Sequence, residues 1–197
     1  MYHMVFLGAL ISIFFNVPYA IGTLKGKVHP NRVSWFLWTV VPLIAFSASI
    51  SQTGWNWGEF PVLTTLILTG LIFLSSIISK KSYWLVSRID IYCGFFSVLA
   101  IVLWIFTHDA NLALILSLLA DFFAFIPTII KAWNHPETEG LGPYLGGVLN
   151  ALTSFFAFSV WNFASLAFPI YLLVVNSILT VVILKKTKFK ANKGVIK

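Results

Sequence analysis

Charge is what this chain has least of: 10% of its 197 residues are charged and only six of them are acidic. A soluble domain of this size needs a charged, solvated surface, yet 59% of the residues are hydrophobic, far more apolar side chain than one interior can hide. Cysteine occurs once, at Cys93 within an apolar stretch, so no intrachain disulfide can form and the redox compartment stays undetermined. The four histidines lie in loops or at the N-terminus, and with one cysteine they make no metal-ligand cluster. HExxH and a glycine-rich nucleotide loop are absent as well. These absences argue against a metal, a haem, any other cofactor and enzymatic activity. A retinal Schiff base is excluded too, because it needs a buried lysine and no apolar run carries one at its centre.

What the chain does have is long apolar runs. A helix needs about 20 apolar residues to cross the hydrocarbon, and seven runs qualify, at 2–24, 33–52, 60–79, 84–106, 110–130, 144–161 and 164–184. They are continuous and do not alternate, which excludes a closed β-barrel. Aromatics are 17% of the chain, and its tryptophans (Trp35, Trp38, Trp55, Trp57, Trp84, Trp104, Trp133, Trp161) cluster where the runs end, as rings at headgroup level do. The expectation is an all-α membrane protein with seven transmembrane helices. The first run, beginning MYHMVFLGAL, has no basic segment before it and no small-residue cleavage site ahead of Lys25, so it reads as a retained helix.

Orientation follows from the thirteen Lys and Arg residues. Lys25, Lys27 and Arg32 fall between helices 1 and 2; Lys80, Lys81 and Arg88 flank the turn from 3 to 4; Lys131 begins the connection from 5 to 6; six lysines from Lys185 to Lys197 form the tail. All lie on one side, and the opposite side carries only Glu59 and Asp109, which predicts an outside N-terminus and a cytoplasmic C-terminus. The net charge of +7 then reflects topology and anionic lipid, with no nucleic acid as partner.

Two segments repeat. KGKVHP (Lys25 to Pro30) and KAWNHP (Lys131 to Pro136) stand 106 residues apart, and the same offset carries Trp55-Asn56 onto Trp161-Asn162. Phe60-Pro61 and Phe168-Pro169 pair at an offset of 108. A three-helix unit that repeats in the same orientation needs one linking helix, because three helices turn the chain over. The expected organisation is 3+1+3: residues 1–79 as the first three-helix repeat, 80–108 as a linker helix, 109–185 as the second repeat and 186–197 as a basic cytoplasmic tail.

Parallel three-helix repeats joined by a lone helix, N-terminus outside, resemble the SWEET and PQ-loop transporter superfamily. Pro18-Tyr19 and Pro127-Thr128 stand where that family has its proline-glutamine pairs, keeping the proline and not the glutamine. The resemblance implies a hinge at each of Pro18, Pro42, Pro127 and Pro143, with Pro143 also placed to start its helix. It further implies a solute site in which an asparagine of helix 7, here Asn176, faces a residue of helix 3; Leu68 occupies that place, so sugar is not specifically implied. DFFAFIPTIIKAW and FPIYLLVVN resemble stretches of bacterial seven-helix membrane proteins, which implies the bacterial inner (plasma) membrane.

Polar residues inside the runs carry the chemistry. Asp121 lies mid-helix in LLADFFAFIP, where a charged carboxylate costs about 2.5 to 3.5 kcal/mol on insertion scales. Ser117, Asp121, Ala124 and Thr128 fall on one small, polar stripe, with Phe122, Phe123 and Phe125 expected to point elsewhere. The carboxyl therefore reads as part of a solute or proton-coupling site, or as a structural hydrogen-bonding group. Asn16, Asn150 and Asn176 can donate and accept, which suits a neutral polar solute or interhelical adhesion. Trp38 pairs with Tyr144 at the 106 offset as an aromatic floor, gate or belt anchor. Arg88 and Asp90 read as a local ion pair or headgroup contact, the His-Pro loops as solvated connections or gates. The expected function is small-solute transport from a polar site near the bilayer midplane. A non-transporting membrane receptor or interaction protein on the same fold is the alternative. The expected partners are a small polar solute and the lipid bilayer, and the sequence leaves open whether a homo-oligomer forms.

Overall fold

The computed structural model describes residues 2–53, 60–79, 86–106, 110–156 and 163–195. The Trp55-Asn56 and Trp161-Asn162 pairs, Trp57, Trp84, Lys80, Lys81, Glu59 and Asp109 lie outside the described residues. The described chain is helical: α1 (Tyr2–Leu24), α2 (Arg32–Thr53), α3 (Phe60–Ile78), α4 (Arg88–Phe106), α5 (Ala110–Asn134), α6 (Gly142–Phe155) and α7 (Phe163–Val195), with a 3-10 turn at Pro136–Thr138. Four of these helices are long and apolar enough to cross a membrane, over Phe6–Leu24, Phe60–Ile78, Leu114–Asn134 and Leu166–Thr187. Their outer faces leave residues such as Phe14, Ile67 and Ile178 exposed, whereas small and polar side chains turn inward.

Local chemistry sets the boundaries. α1 ends in a turn whose Gly26 takes φ 70°, a left-handed position that favours glycine. Asn31 caps α2 by accepting a hydrogen bond from the Ser34 backbone N–H at 3.0 Å. Ser87 and Asp90 open α4 as a reciprocal pair: the Ser87 N–H donates to Asp90 Oδ2 at 2.6 Å and the Asp90 N–H donates to Ser87 Oγ at 3.2 Å. α5 stops before His135, whose non-helical backbone (φ −132°, ψ 58°) precedes a proline. α7 is 33 residues long, about 50 Å at 1.5 Å per residue. The lysine-rich segment expected as a tail is therefore helical as far as Val195.

Pro18, Pro42, Pro127 and Pro169 are interior to α1, α2, α5 and α7. Pro143 instead sits in the first turn of α6, where its missing N–H has no helical partner to lose. It initiates that helix and bends no continuous one.

α3 packs against both α1 and α2, and α7 packs against both α5 and α6. α1 also meets α6 and α2 meets α5, while α4 lies on α5 and α2. Three apolar clusters fill the interior, around Tyr144 and Leu179, around Leu37 and Ala124, and around Trp35 and Ile72. Trp38 packs against all three.

Candidate solute cavity and the network that closes it

Between the helices lies a cavity of about 230 Å³. All five residues that the sequence suggests for a solute site line it: Asn16 from α1, Trp38 from α2, Asp121 from α5, Asn150 from α6 and Asn176 from α7. Leu68 of α3 lines it too. So do Pro42 and Pro143, whereas Pro18 and Pro127 do not.

The carboxyl of Asp121 is held by α7: the Tyr171 hydroxyl donates to its Oδ2 at 2.8 Å. The Trp38 indole N–H is a second donor facing the same carboxyl. Phe125, expected to point away from this stripe, is a correction: it is buried and lines the cavity, because it lies one helical turn from Asp121 and shares its face. Phe122 does turn outward.

Two of the asparagines are oriented by their own helices. Asn16 Nδ2 donates to the Ser12 carbonyl and Asn176 Nδ2 to the Leu172 carbonyl, each at 2.8 Å and four residues back. The amide oxygens are left as acceptors. Gly147 makes room for one of them: a Cβ there would lie 2.6 Å from Asn176 Cγ and Oδ1, closer than packed atoms approach, so only glycine lets α6 and α7 enclose that amide. Trp35 joins the lining, 2% exposed, and its Nε1 has no hydrogen-bond partner among the described residues.

Through Tyr144 the cavity adjoins a network that sequence reading did not anticipate. Lys131 Nζ and Glu139 Oε1 form an ion pair at 2.6 Å, with both side chains fully buried. The hydroxyls of Tyr19 and Tyr144 donate to Glu139 Oε2 at 2.9 and 3.0 Å, and Lys131 also donates to the His29 carbonyl. The His29 N–H reaches the Thr138 carbonyl at 2.8 Å. The two His-Pro connections are thus fastened to each other, and Tyr144, which also lines the cavity, is the floor between solute space and ion pair. The His135 imidazole itself is exposed, 3.6 Å from Glu137.

A second buried network ties helices together. Asn31 Nδ2 donates to Asp90 Oδ1 at 2.6 Å, Ser34 approaches Asn31, and Thr128 Oγ1 donates to Ser34 Oγ at 2.8 Å, linking α4, α2 and α5. Asp90 therefore does not pair with Arg88. It is buried against Asn31 and Ser87, while Arg88 is exposed. Among the described residues no group of three or more His, Cys, Asp or Glu side chains could hold a metal ion.

No protein-family model, curated protein or solved structure matches the chain.

Proposed function

We propose that the protein is a small-solute membrane transporter in which the cavity is the solute site and the Lys131–Glu139 network is one of its two gates. The observation that carries this reading is the convergence of Asn16, Trp38, Asp121, Asn150 and Asn176 from five helices on one cavity. Polar side chains inside apolar helices are costly, and solvating a solute is what repeated, convergent placement can accomplish. The volume is that of about eight liquid waters at roughly 30 Å³ each, below the usual size of a drug pocket, so the solute is small.

A 3+1+3 arrangement of parallel repeats is part of the proposal. What supports it is the packing: α3 lies between α1 and α2 as α7 lies between α5 and α6, and exchanging the halves carries the α1–α6 contact onto α5–α2. α4 would then be the linker, and helices beyond the four long apolar ones would also cross the bilayer. The basic residues support an N-terminus outside and the His-Pro end in the cytoplasm of a bacterial inner membrane. Rocking of the repeats about their interior prolines would open the latched end while closing the other, each conformer being favoured by a different ligation of the cavity. Asp121 would carry the coupling proton, since it is the one carboxyl lining the cavity among the described residues.

Proteoliposomes loaded with a panel of small polar solutes test the proposal. A transporter gives saturable flux that Asn176→Leu removes while the purified variant stays folded. Saturable, stoichiometric binding without flux is the signature of a receptor on the same scaffold.

A further inference from the structure

Resting on the solute cavity just described, the lining itself narrows the chemistry of what enters. No Lys, Arg or His is among the described residues that line it, so Asp121 faces the space without a cationic partner. Tyr171 holds that carboxyl in place as a neutral donor and leaves the charge uncompensated. A buried carboxylate in that situation is costly until a counter-charge arrives. The amides supply acceptors as well: Asn16 and Asn176 each commit one N–H to their own helix and keep a carbonyl oxygen and a second N–H. Around these acceptors stand the faces and edges of Trp35, Trp38, Phe125 and Tyr144, and indole rings are the strongest aromatic partners for a cation. Trp35 lines the same cavity and adds a donor: its Nε1–H is buried with no partner among the described residues, and such a group favours a ligand whose acceptor reaches it.

We propose that the cavity takes a compact organic cation bearing one hydrogen-bond acceptor and no anionic group, with Asp121 as its counter-ion and Trp35 as the donor to its acceptor. A zwitterion is disfavoured because no Lys, Arg or His among the described lining residues offers a counter-charge to its anionic end, which would also face the Asp121 carboxyl. A neutral polyol leaves the carboxylate uncompensated. Binding of the cation places its ammonium beside Asp121 and its hydroxyl or carbonyl at the Trp35 indole.

Isothermal titration of the purified full chain with choline as probe tests this directly. Choline should bind about tenfold or more tightly than its neutral isostere 3,3-dimethylbutan-1-ol and than glycine betaine, which adds a carboxylate. Asp121→Asn should abolish the preference for choline over the isostere. Trp35→Phe keeps the ring and removes the N–H, so the advantage of choline over tetramethylammonium, which has no acceptor, should vanish. Equal affinity for choline, the isostere and betaine, or no saturable binding of choline, overturns the proposal. These comparisons among probes are made on the unaltered protein, so they stand even if a variant fails to fold. Choline binding without flux would sink the transport reading and leave the cation site. Flux of a neutral solute with no choline binding would do the reverse.

Discussion

Removing Glu139 should be among the most damaging single changes in the molecule. The Lys131 and Glu139 side chains are fully buried at 2.6 Å, so Glu139→Ala leaves a buried ammonium beside the His29 carbonyl without its counter-charge. Breaking a buried pair from one side costs about 3 to 5 kcal/mol, which is roughly two to four decades in the unfolding equilibrium. The same change takes the acceptor from the Tyr19 and Tyr144 hydroxyls. Tyr19→Phe and Tyr144→Phe, which each remove a hydroxyl bonded to the carboxylate and leave both charges of the pair in place, should cost about 1.5 to 3 kcal/mol. Lys131→Met combined with Glu139→Leu removes both charges, and replacing a buried pair by apolar residues is often neutral or better. The double variant should therefore lie well above the sum of the two singles, with a coupling energy of about 3 kcal/mol or more. SDS-driven unfolding of the parent, Lys131→Met, Glu139→Leu and the double variant in mixed micelles gives this cycle, with Glu139→Ala measured beside them. Additive single changes, or a Glu139→Ala variant within about 0.5 kcal/mol of the parent, would refute the reasoning that the pair is a buried latch.

Gly147→Ala places a Cβ 2.6 Å from the Asn176 amide, so it should cost about 1 to 3 kcal/mol and weaken solute binding, with Asn176→Ala in the same chain recovering stability but not binding. Asn31→Ala leaves buried Asp90 without its α2 partner and should cost about 1.5 to 3 kcal/mol in the same unfolding assay, whereas Arg88→Ala should be nearly silent. If Asp121 carries the coupling proton, residual solute flux in Asp121→Asn should lose its pH dependence in proteoliposomes; a retained dependence places the proton elsewhere. Cysteines introduced at Thr53 and Ala110 should react with an impermeant maleimide from outside intact cells, and one at Asn192 should not; the opposite pattern reverses the proposed orientation.

The cavity residues were legible in the sequence because a carboxyl or carboxamide inside an apolar run is rare enough to signal by itself. Asp121, Asn16, Asn150 and Asn176 each stood out this way before any contact was known. Phe125 was misassigned by judging the stripe from its small residues alone, although it lies four positions after Asp121 on the same face. The latch was not legible. Lys131 in the last turn of α5 and Glu139 in the connection after it sit where charges are ordinary, and nothing in their spacing tells that Tyr19, 120 residues from Glu139 in sequence, will help bury them. The repeated KxxxHP segment marked Lys131, but its counterpart Lys25 is exposed, so the repeat could not distinguish a solvated lysine from a buried one. Trp35 was hidden for another reason: tryptophans at helix ends normally anchor in headgroups, and only packing reveals one turned inward.

Trp38 borders the cavity and packs against each of the three apolar clusters. Close-packed interiors do not deform smoothly, so a ring at their common border has few allowed orientations. A molecule that enters and turns this indole into another rotamer must repack all three clusters at once. One that fits beside the ring without moving it leaves the bundle as it was. The distinction between a passenger and a blocker would then be made by a single side-chain torsion angle.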